Sequence, residues 1–584
     1  MNGAVAHDRS AVTASDCQTL LEVLQQRAAN EGNGIAYTFL AAGAGDARSI
    51  TWADLDRRAK GLGALLTVQG ANQQRVLLAL PSGMAFIEAL FACWYAGAIA
   101  VPVSLPRHRR VKHRLHKIIA DAGAHLAIST TDLRQRLIAD GANPAAMEQL
   151  TWIDADARAD AESHCETPHG QGGQVALLQY TSGSTGDPRG VMVTHANLMR
   201  NSALIAEACG HGPADTIGGW LPLFHDMGLI GLVVQCVYSG ARCIFMPPER
   251  FLMRPWLWLQ MISDYRICSS PAPNFAYDLC VDRIDETKKA SLDFSGWRNA
   301  LNGSEPIRPA TLNRFASAFS SCGFKPEAFF PCYGLAEATL FVTGPGKDRQ
   351  LKQRSTDGTL LPAGANAGHV GCGRTYGDTQ LAIIDPTSGR NVEAGKIGEI
   401  LAAGESCAQG YWNNAAATAA TFGYRLAETA DSSPSWLRTG DLGFIADGDL
   451  FITGRLRDLI ILSGRNHFPV DLERTVESAD PAIAPSGAAA ISVECDGLER
   501  LVIVAELKRE AARASGPDQL LKTELDAIVL RIRSALSVDH DVFAHDIILL
   551  RPGALPRTTS GKMSRASIRE AYLAHTLERF GTTS

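Results

Sequence analysis

Residues 180–190 read YTSGSTGDPRG. The preceding Val175–Tyr180, VALLQY, is an apolar run of strand length, and a helical pattern follows from about His195 to Ala208. Three glycines and four hydroxyl residues lie between those elements. They can fold tightly and turn backbone N–H and side-chain O–H groups toward an anion. Arg189 adds positive charge, and the N-terminus of the following helix is expected to add its dipole. The chain contains no G-x-x-x-x-G-K-[ST], so this is not the phosphate loop of ordinary ATPases. A glycine- and serine-rich turn says little alone; its company decides.

Moving outward, the alternation of strand and helix continues. Arg75–Leu80 reads as a buried strand, a helix begins near Met84, and a second strand lies near Ala98–Val103. Such repetition predicts an α/β fold of parallel sheets layered with helices. The most apolar stretch, Ala89–Val103, has 15 residues and contains Gly97 and Pro102. A membrane span needs about 20, so a buried helix running into a strand is expected. Composition changes near position 455, after the glycine-rich Arg438–Gly454. The tail then offers a helix from about Val470 to Ser478, strands at Ala488–Val493 and Leu501–Leu507, and an amphipathic helix from about Gln519 to Leu536. These features divide the chain into a large domain, 1–456, and a small mobile α+β domain, 457–584, with a hinge between them.

With 584 residues, 46% of them hydrophobic, the chain can bury more than one core. Lys plus Arg number 55 against 61 Asp plus Glu, a net charge of −6, which argues against nucleic acid as a partner. The thirteen cysteines form no C-x-x-C pair, so reduced, buried thiols are expected. Residues 1–16 lack the basic start and apolar run of a secretory signal. A cytoplasmic protein without a transmembrane segment is the expectation.

Five further segments accompany the loop in order: Asn302–Arg308 (NGSEPIR), Tyr333–Thr339 (YGLAEAT), Arg438–Phe444 (RTGDLGF), Gly454–Gly464 (GRLRDLIILSG) and Thr558–Lys562 (TTSGK). Together they resemble the acyl-adenylate-forming superfamily. Gly219–Gly231 (GWLPLFHDMGLIG), Ser269–Cys280 (SSPAPNFAYDLC) and Gly464–Glu473 (GRNHFPVDLE) resemble its fatty acyl-AMP ligases. The resemblance implies the fold of those enzymes and a fatty acid activated with ATP and Mg2+. The acyl group would then pass to an acyl carrier protein, or a carrier domain of a polyketide or peptide synthase, on another chain.

Residue by residue, the resemblance implies that Thr181, Ser182, Gly183, Ser184, Thr185 and Gly186 cradle the β- and γ-phosphates, with Arg189 where relatives usually carry Lys. Glu337 matches the magnesium carboxylate, and Thr185 is placed beside it as a metal contact. Gly303, Ser304, Glu305 and Pro306 line the adenine pocket, mainly through backbone, while Tyr333 stacks near adenine with Gly334 alongside. Asp441 accepts from the ribose hydroxyls, an acceptor-only group facing two donors, and Arg455 is the second ribose contact. Lys562 is the catalytic lysine. His225 positions the acyl carboxylate; its neighbour Asp226 is expected to point away from it, as adjacent side chains do on extended backbone.

Met227–Val234 and Phe251–Tyr277 line an acyl tunnel or form core. Between Glu337 and Gly373 lie 35 residues. Their polar span 344–363 resembles the branch-specific insertion that disfavours the coenzyme A reaction, with Leu351, Leu360 and Leu361 as anchors. The basic run Arg107–Lys117 reads first as a solvated helix face and second as a surface for an acidic carrier. Competing readings are an acyl-CoA synthetase and, outside enzymes, a nucleotide-binding regulatory relic.

Overall fold

A computed structural model describes residues 14–41, 46–105, 109–139, 147, 149–157, 172–182, 188–346, 349–356, 358–362, 364–426, 434–462, 465–495, 498–513, 518–558 and 561–581. Helix Met84–Tyr95 carries apolar residues on every side and is buried on nearly all of them. Such a helix must be surrounded. Its Trp94 indole donates to the Ala176 carbonyl at 3.0 Å, which ties it to strand Val175–Ser182.

That strand belongs to a six-stranded sheet ordered Thr151–Asp154, Leu126–Ser129, Arg75–Leu78, Ile99–Pro102, Val175–Ser182, Pro188–Thr194. The first five run parallel; the last returns as a hairpin. A seven-stranded sheet is ordered Phe329–Pro331, Asn299–Asn302, Ser269–Ala272, Thr216–Gly219, Arg242–Phe245, Ile35–Leu40, Ala47–Thr51, again parallel except for its last pair. Side chains of both sheets share one core with helix Met84–Tyr95. The layered α/β class read from the sequence is the observed one.

Two smaller sheets follow. Gln380–Ile384, Gly398–Ala403, Leu437–Ala446 and Asp449–Arg455 form an antiparallel meander. Beyond it, Ile483–Cys495, Leu498–Leu507 and Ala544–Leu550 form a three-stranded sheet with helices Pro469–Ala479, Asp518–His540 and Arg565–Leu573 and a core of its own. Between them the chain makes one 3₁₀ turn, Leu456–Asp458. Arg308 pairs with Glu477, and Arg474 Nη1 donates to the Gly368 carbonyl at 2.8 Å, linking the last segment to the body.

The glycine-rich loop differs from expectation. It does not open a helix: it caps a hairpin in which Thr181 faces Arg189 and Ser182 faces Pro188. Helix His195–Cys209 starts only after the whole return strand. Its first N–H groups are already satisfied: His195 and Ala196 donate to the Gln174 and Gly172 carbonyls, and a capping box joins Thr194 and Asn197. The return strand therefore separates the N-terminus of this helix from the loop in sequence. The insertion also differs in its anchors. Leu351 packs against the core and Leu361 lies against Gly368, but Leu360 is exposed. Ionic contacts hold it as well: Lys352 to Asp449 at 2.9 Å and Arg354 to Asp447.

Because the box is local to the helix, Thr194→Ala should lower the urea midpoint by the equivalent of about 1 kcal/mol. Affinity for pyrophosphate, the group the loop is expected to grip, should stay unchanged by calorimetry. A large loss of that affinity would show that the helix start does serve the loop.

Candidate active site

In open parallel sheets, ligands bind beyond the carboxyl ends of the strands. Here both sheets direct those ends to one cleft of about 540 Å³. Pro102 and Tyr180–Thr181 come from the six-stranded sheet. Phe224 and His225, Ser304, and Gly334 follow strands Thr216–Gly219, Asn299–Asn302 and Phe329–Pro331 of the other. The meander adds Arg438–Asp441 and Arg455, and the C-terminal segment adds Thr558 and Lys562.

Asp441 and Arg455 face each other across the meander hairpin, with Arg455 Nε 3.1 Å from Asp441 Oδ1. The Tyr333 hydroxyl donates to Asp441 Oδ2 at 2.8 Å. Arg455 is held firmly protonated, chiefly by attraction to Asp441 against the opposing effect of burial. Tyr333 is buried and is not among the residues lining the cleft. Its hydroxyl meets Asp441, an orienting contact that the expected stacking role did not include. Gly334 lacks a side chain for a steric reason: a Cβ there would collide with the Leu340 carbonyl.

Glu337 Oε1 accepts from the Tyr411 hydroxyl at 2.8 Å. Burial raises the Glu337 pKa, so a nearby cation would stabilise its charged form. Arg189 lies over the Tyr411 ring at 5.4 Å. No cluster of three metal-ligating side chains occurs among the described residues.

Ser304 lines the cleft in a left-handed conformation, φ 71°. Gly303 is pressed against Cys332, and Pro306 is exposed. Glu305 is spent elsewhere: its carboxylate accepts the Phe275 N–H at 2.7 Å, capping helix Asn274–Arg283. Gly183, Ser184, Thr185 and Gly186 lie outside the described residues, as does the side chain of Ser182.

Lys562 reaches the cleft from a tight loop in which its N–H donates to Thr558 Oγ1 at 3.2 Å. Gly561 sits at φ +87° with the Phe275 ring against it, leaving no room for a larger residue. Lys562 Nζ stands 3.3 Å from His225 Nε2. Burial lowers its pKa, while Asp226 and Glu305 act to raise it. The expected divergence of His225 and Asp226 is wrong. The backbone is extended at His225 but turns helical at Asp226, and the two side chains meet at 2.5 Å.

Behind this group Leu229–Val234 forms a π-helix buried except at Gly231, and Trp220 stacks on Phe251 with ring centroids 3.9 Å apart. Within these segments Phe251 and Trp258 pack in the core, Leu252 and Met253 are exposed, and Leu257, Gln260 and Met261 line a small cavity. Sequence reasoning did not single out Tyr411, Arg438 or Arg114. Arg114 falls within the basic run, on helix Arg109–Ala122, yet it lines the cleft rather than a solvated face. Side chains at 106–113 lie outside the described residues.

A cleft with this make-up is that of a nucleotide-using enzyme, and the chain belongs to the AMP-binding enzyme family, whose signature matches residues 24–412. Residues 457–581 match the AMP domain of Disco-interacting protein 2-like proteins. The chain is 37% identical to the medium-chain-fatty-acid–[acyl-carrier-protein] ligase JamA of Moorena producens, covering 96% of each chain. It is 34% identical to the long-chain-fatty-acid–AMP ligase FadD26 of Mycobacterium bovis, over 95% of this chain and 97% of that one. Among solved structures it resembles the fatty acyl-adenylate ligase of Legionella pneumophila in complex with acyl adenylate and pyrophosphate. That match has a TM-score of 0.73 and 33% identity, over 98% of this chain and 99% of the other.

Tyr333→Phe removes one donor from a charged acceptor, an interaction worth about 1.5–3 kcal/mol. AMP affinity by calorimetry should fall at least roughly tenfold. Unchanged affinity would mean that Arg455 alone orients Asp441.

Proposed function

We propose that the protein joins a fatty acid to AMP at the expense of ATP and then passes the acyl group to the phosphopantetheine thiol of a carrier protein on a separate chain. The observation that carries this reading is convergence. Lys562, from the last 25 residues, meets His225, Glu337, Asp441, Arg455 and Arg189 around one cleft. A regulatory relic would have no use for a buried lysine amid such a set.

In the first step a carboxylate oxygen bonds to the α-phosphorus while the bond to pyrophosphate breaks. Two anions must approach, so the chain's task is placement and positive charge. Asp441 and Arg455 hold the ribose. Thr181, with Ser182, Gly183, Ser184, Thr185 and Gly186, grips the β- and γ-phosphates, and Arg189 supplies charge there. Gly303, Ser304 and Pro306 flank the base through backbone. His225 orients the acid, and Lys562 donates to the oxygens whose charge shifts as the bond forms. A magnesium ion would neutralise phosphate charge, with Glu337, and Thr185 beside it, as the protein's contribution.

In the second step a thiol attacks the acyl carbonyl and AMP leaves. For the thiol to enter, the region 457–584 would withdraw from 1–456 about a hinge at Leu456–Asp458. The insertion 344–363 supports preference for a carrier over coenzyme A. It is tied to the meander through Lys352 and Arg354, and Gly368 just beyond it accepts from Arg474 of the C-terminal segment. A cytoplasmic setting accords with twelve described cysteines, all free thiols. Among the described residues no helix is long and apolar enough to cross a membrane.

The test is ATP–pyrophosphate exchange with fatty acids of graded length, followed by coenzyme A or a phosphopantetheinylated carrier. Acyl-AMP consumed by the carrier and spared by coenzyme A is the expected result. Efficient acyl-CoA formation, or no exchange with any acid, would overturn the proposal. Lys562→Ala should slow adenylate formation by about 10²–10³, with AMP affinity nearly intact. Glu337→Gln should raise the magnesium concentration needed for half-maximal exchange by about tenfold.

A further inference from the structure

Asp226 carries no assignment in the reaction described above, yet it is placed to govern its central cation. Its side chain is 15% exposed, at the start of the short helix Asp226–Gly228. His225, extended at φ −100°, ψ 140°, precedes that helix, and the change of backbone direction folds the two neighbouring side chains together. Asp226 Oδ1 lies 2.5 Å from His225 Nδ1 and also accepts the Met227 N–H at 2.6 Å.

The Met227 N–H lies 3.4 Å from His225 Nδ1 but 2.6 Å from Asp226 Oδ1, so the carboxylate is its nearer acceptor. A carboxylate is acceptor-only when ionised, so the proton between Asp226 and His225, 2.5 Å apart, belongs to Nδ1. In the neutral ring, Nε2 is then left with a lone pair. Lys562 Nζ, which has donors and no acceptor, stands 3.3 Å from that atom. The hydrogen bonds therefore run in one direction: Lys562 Nζ–H to His225 Nε2, and His225 Nδ1–H to Asp226 Oδ1. In the opposite tautomer, Nε2–H would face the ammonium, donor against donor.

We infer that Asp226 is a positioning residue for acyl-adenylate formation, which fixes the His225 tautomer and through it aims the Lys562 ammonium into the cleft. The inference rests on the function proposed above. The groups facing Lys562 are Asp226 and His225 from one turn, Glu305 from the loop after strand Asn299–Asn302, and Arg455 at the end of the meander. Burial lowers the lysine's pKa most, Asp226 and Glu305 oppose that, and Arg455 adds to it. Asp226 itself stays ionised: burial acts to raise its pKa, but the attraction and hydrogen bond of His225, with Lys562 and the Met227 N–H, bring it below the usual value.

Asp226→Ala removes both acceptor and charge, whereas Asp226→Asn keeps an oxygen for Met227 and the ring and removes only the charge. The active form of Lys562 is the cation, present at low pH and lost as pH rises through its pKa. Removing the Asp226 charge lowers that pKa further, so the alkaline limb of kcat for pyrophosphate exchange should move to lower pH in both variants. Asp226→Ala should cut kcat by about tenfold or more, with KM for ATP and for the fatty acid changed by less than about threefold.

The decisive arm is a double-mutant cycle. In a Lys562→Ala background, adding Asp226→Ala should change the residual rate by no more than about twofold, because residues acting as one unit are not additive. An equal cost in both backgrounds, or an unmoved alkaline limb in the well-folded Asp226→Asn enzyme, would overturn the inference while leaving the proposed function standing. No acyl-adenylate from the unmodified enzyme would overturn both.

Discussion

Lys562 brings a positive charge into a cleft that already holds Arg455, and burial opposes that charge. A buried cation is tolerated only where acceptors and opposite charges surround it. The neighbours of Lys562 meet this need from two other stretches of chain, the lone pair of His225 with the carboxylate of Asp226, and the carboxylate of Glu305, while the Thr558 hydroxyl holds its backbone. The same condition shapes the rest of the cleft. Arg455 stands against Asp441, Arg438 against Glu399, and Arg189 over the Tyr411 ring. Charge suited to a polyphosphate is thus installed before any ligand arrives, and the geometry does not have to be reorganised during reaction.

The two parallel sheets make this assembly affordable in length. Each contributes strand ends to the cleft, so residues far apart in the chain need only a few loop positions to meet. Phe224–His225, Ser304 and Gly334 all sit within a few residues of a strand end in the seven-stranded sheet. The apolar helix Met84–Tyr95 and the aromatic cluster around Trp220, Phe251 and Trp258 fill the space behind them. Those packed interiors keep the strand ends from shifting relative to one another.

Much of this was legible in the sequence because it is local. The buried strand at Arg75, the helix from Met84 and the strand before Val103 are set by runs of apolar residues, and the motif residues Thr181, Arg189, His225, Glu337, Asp441, Arg455 and Lys562 do share the cleft. What was missed depends on direction in space. Pro188–Thr194 opens with Pro, Arg and Gly, which hides its strand character, so the loop was read as leading into a helix. His225 and Asp226 converge because the backbone turns between them, which no side-chain pattern reveals. Glu305 is diverted to the Phe275 N–H, and Tyr333 presents its hydroxyl, through contacts with residues 30 and 108 positions away. Tyr411 and Arg114 belong to no motif, and only the fold brings them to the cleft.

The capping box at Thr194 and Asn197 has an architectural consequence. The long helix His195–Cys209 begins on that box and on the carbonyls of Gly172 and Gln174, after the seven-residue return strand Pro188–Thr194. The start of the helix is therefore set by contacts outside residues 183–187. In a loop that leads straight into a helix, a change in one is passed directly to the other; here a paired strand stands between them.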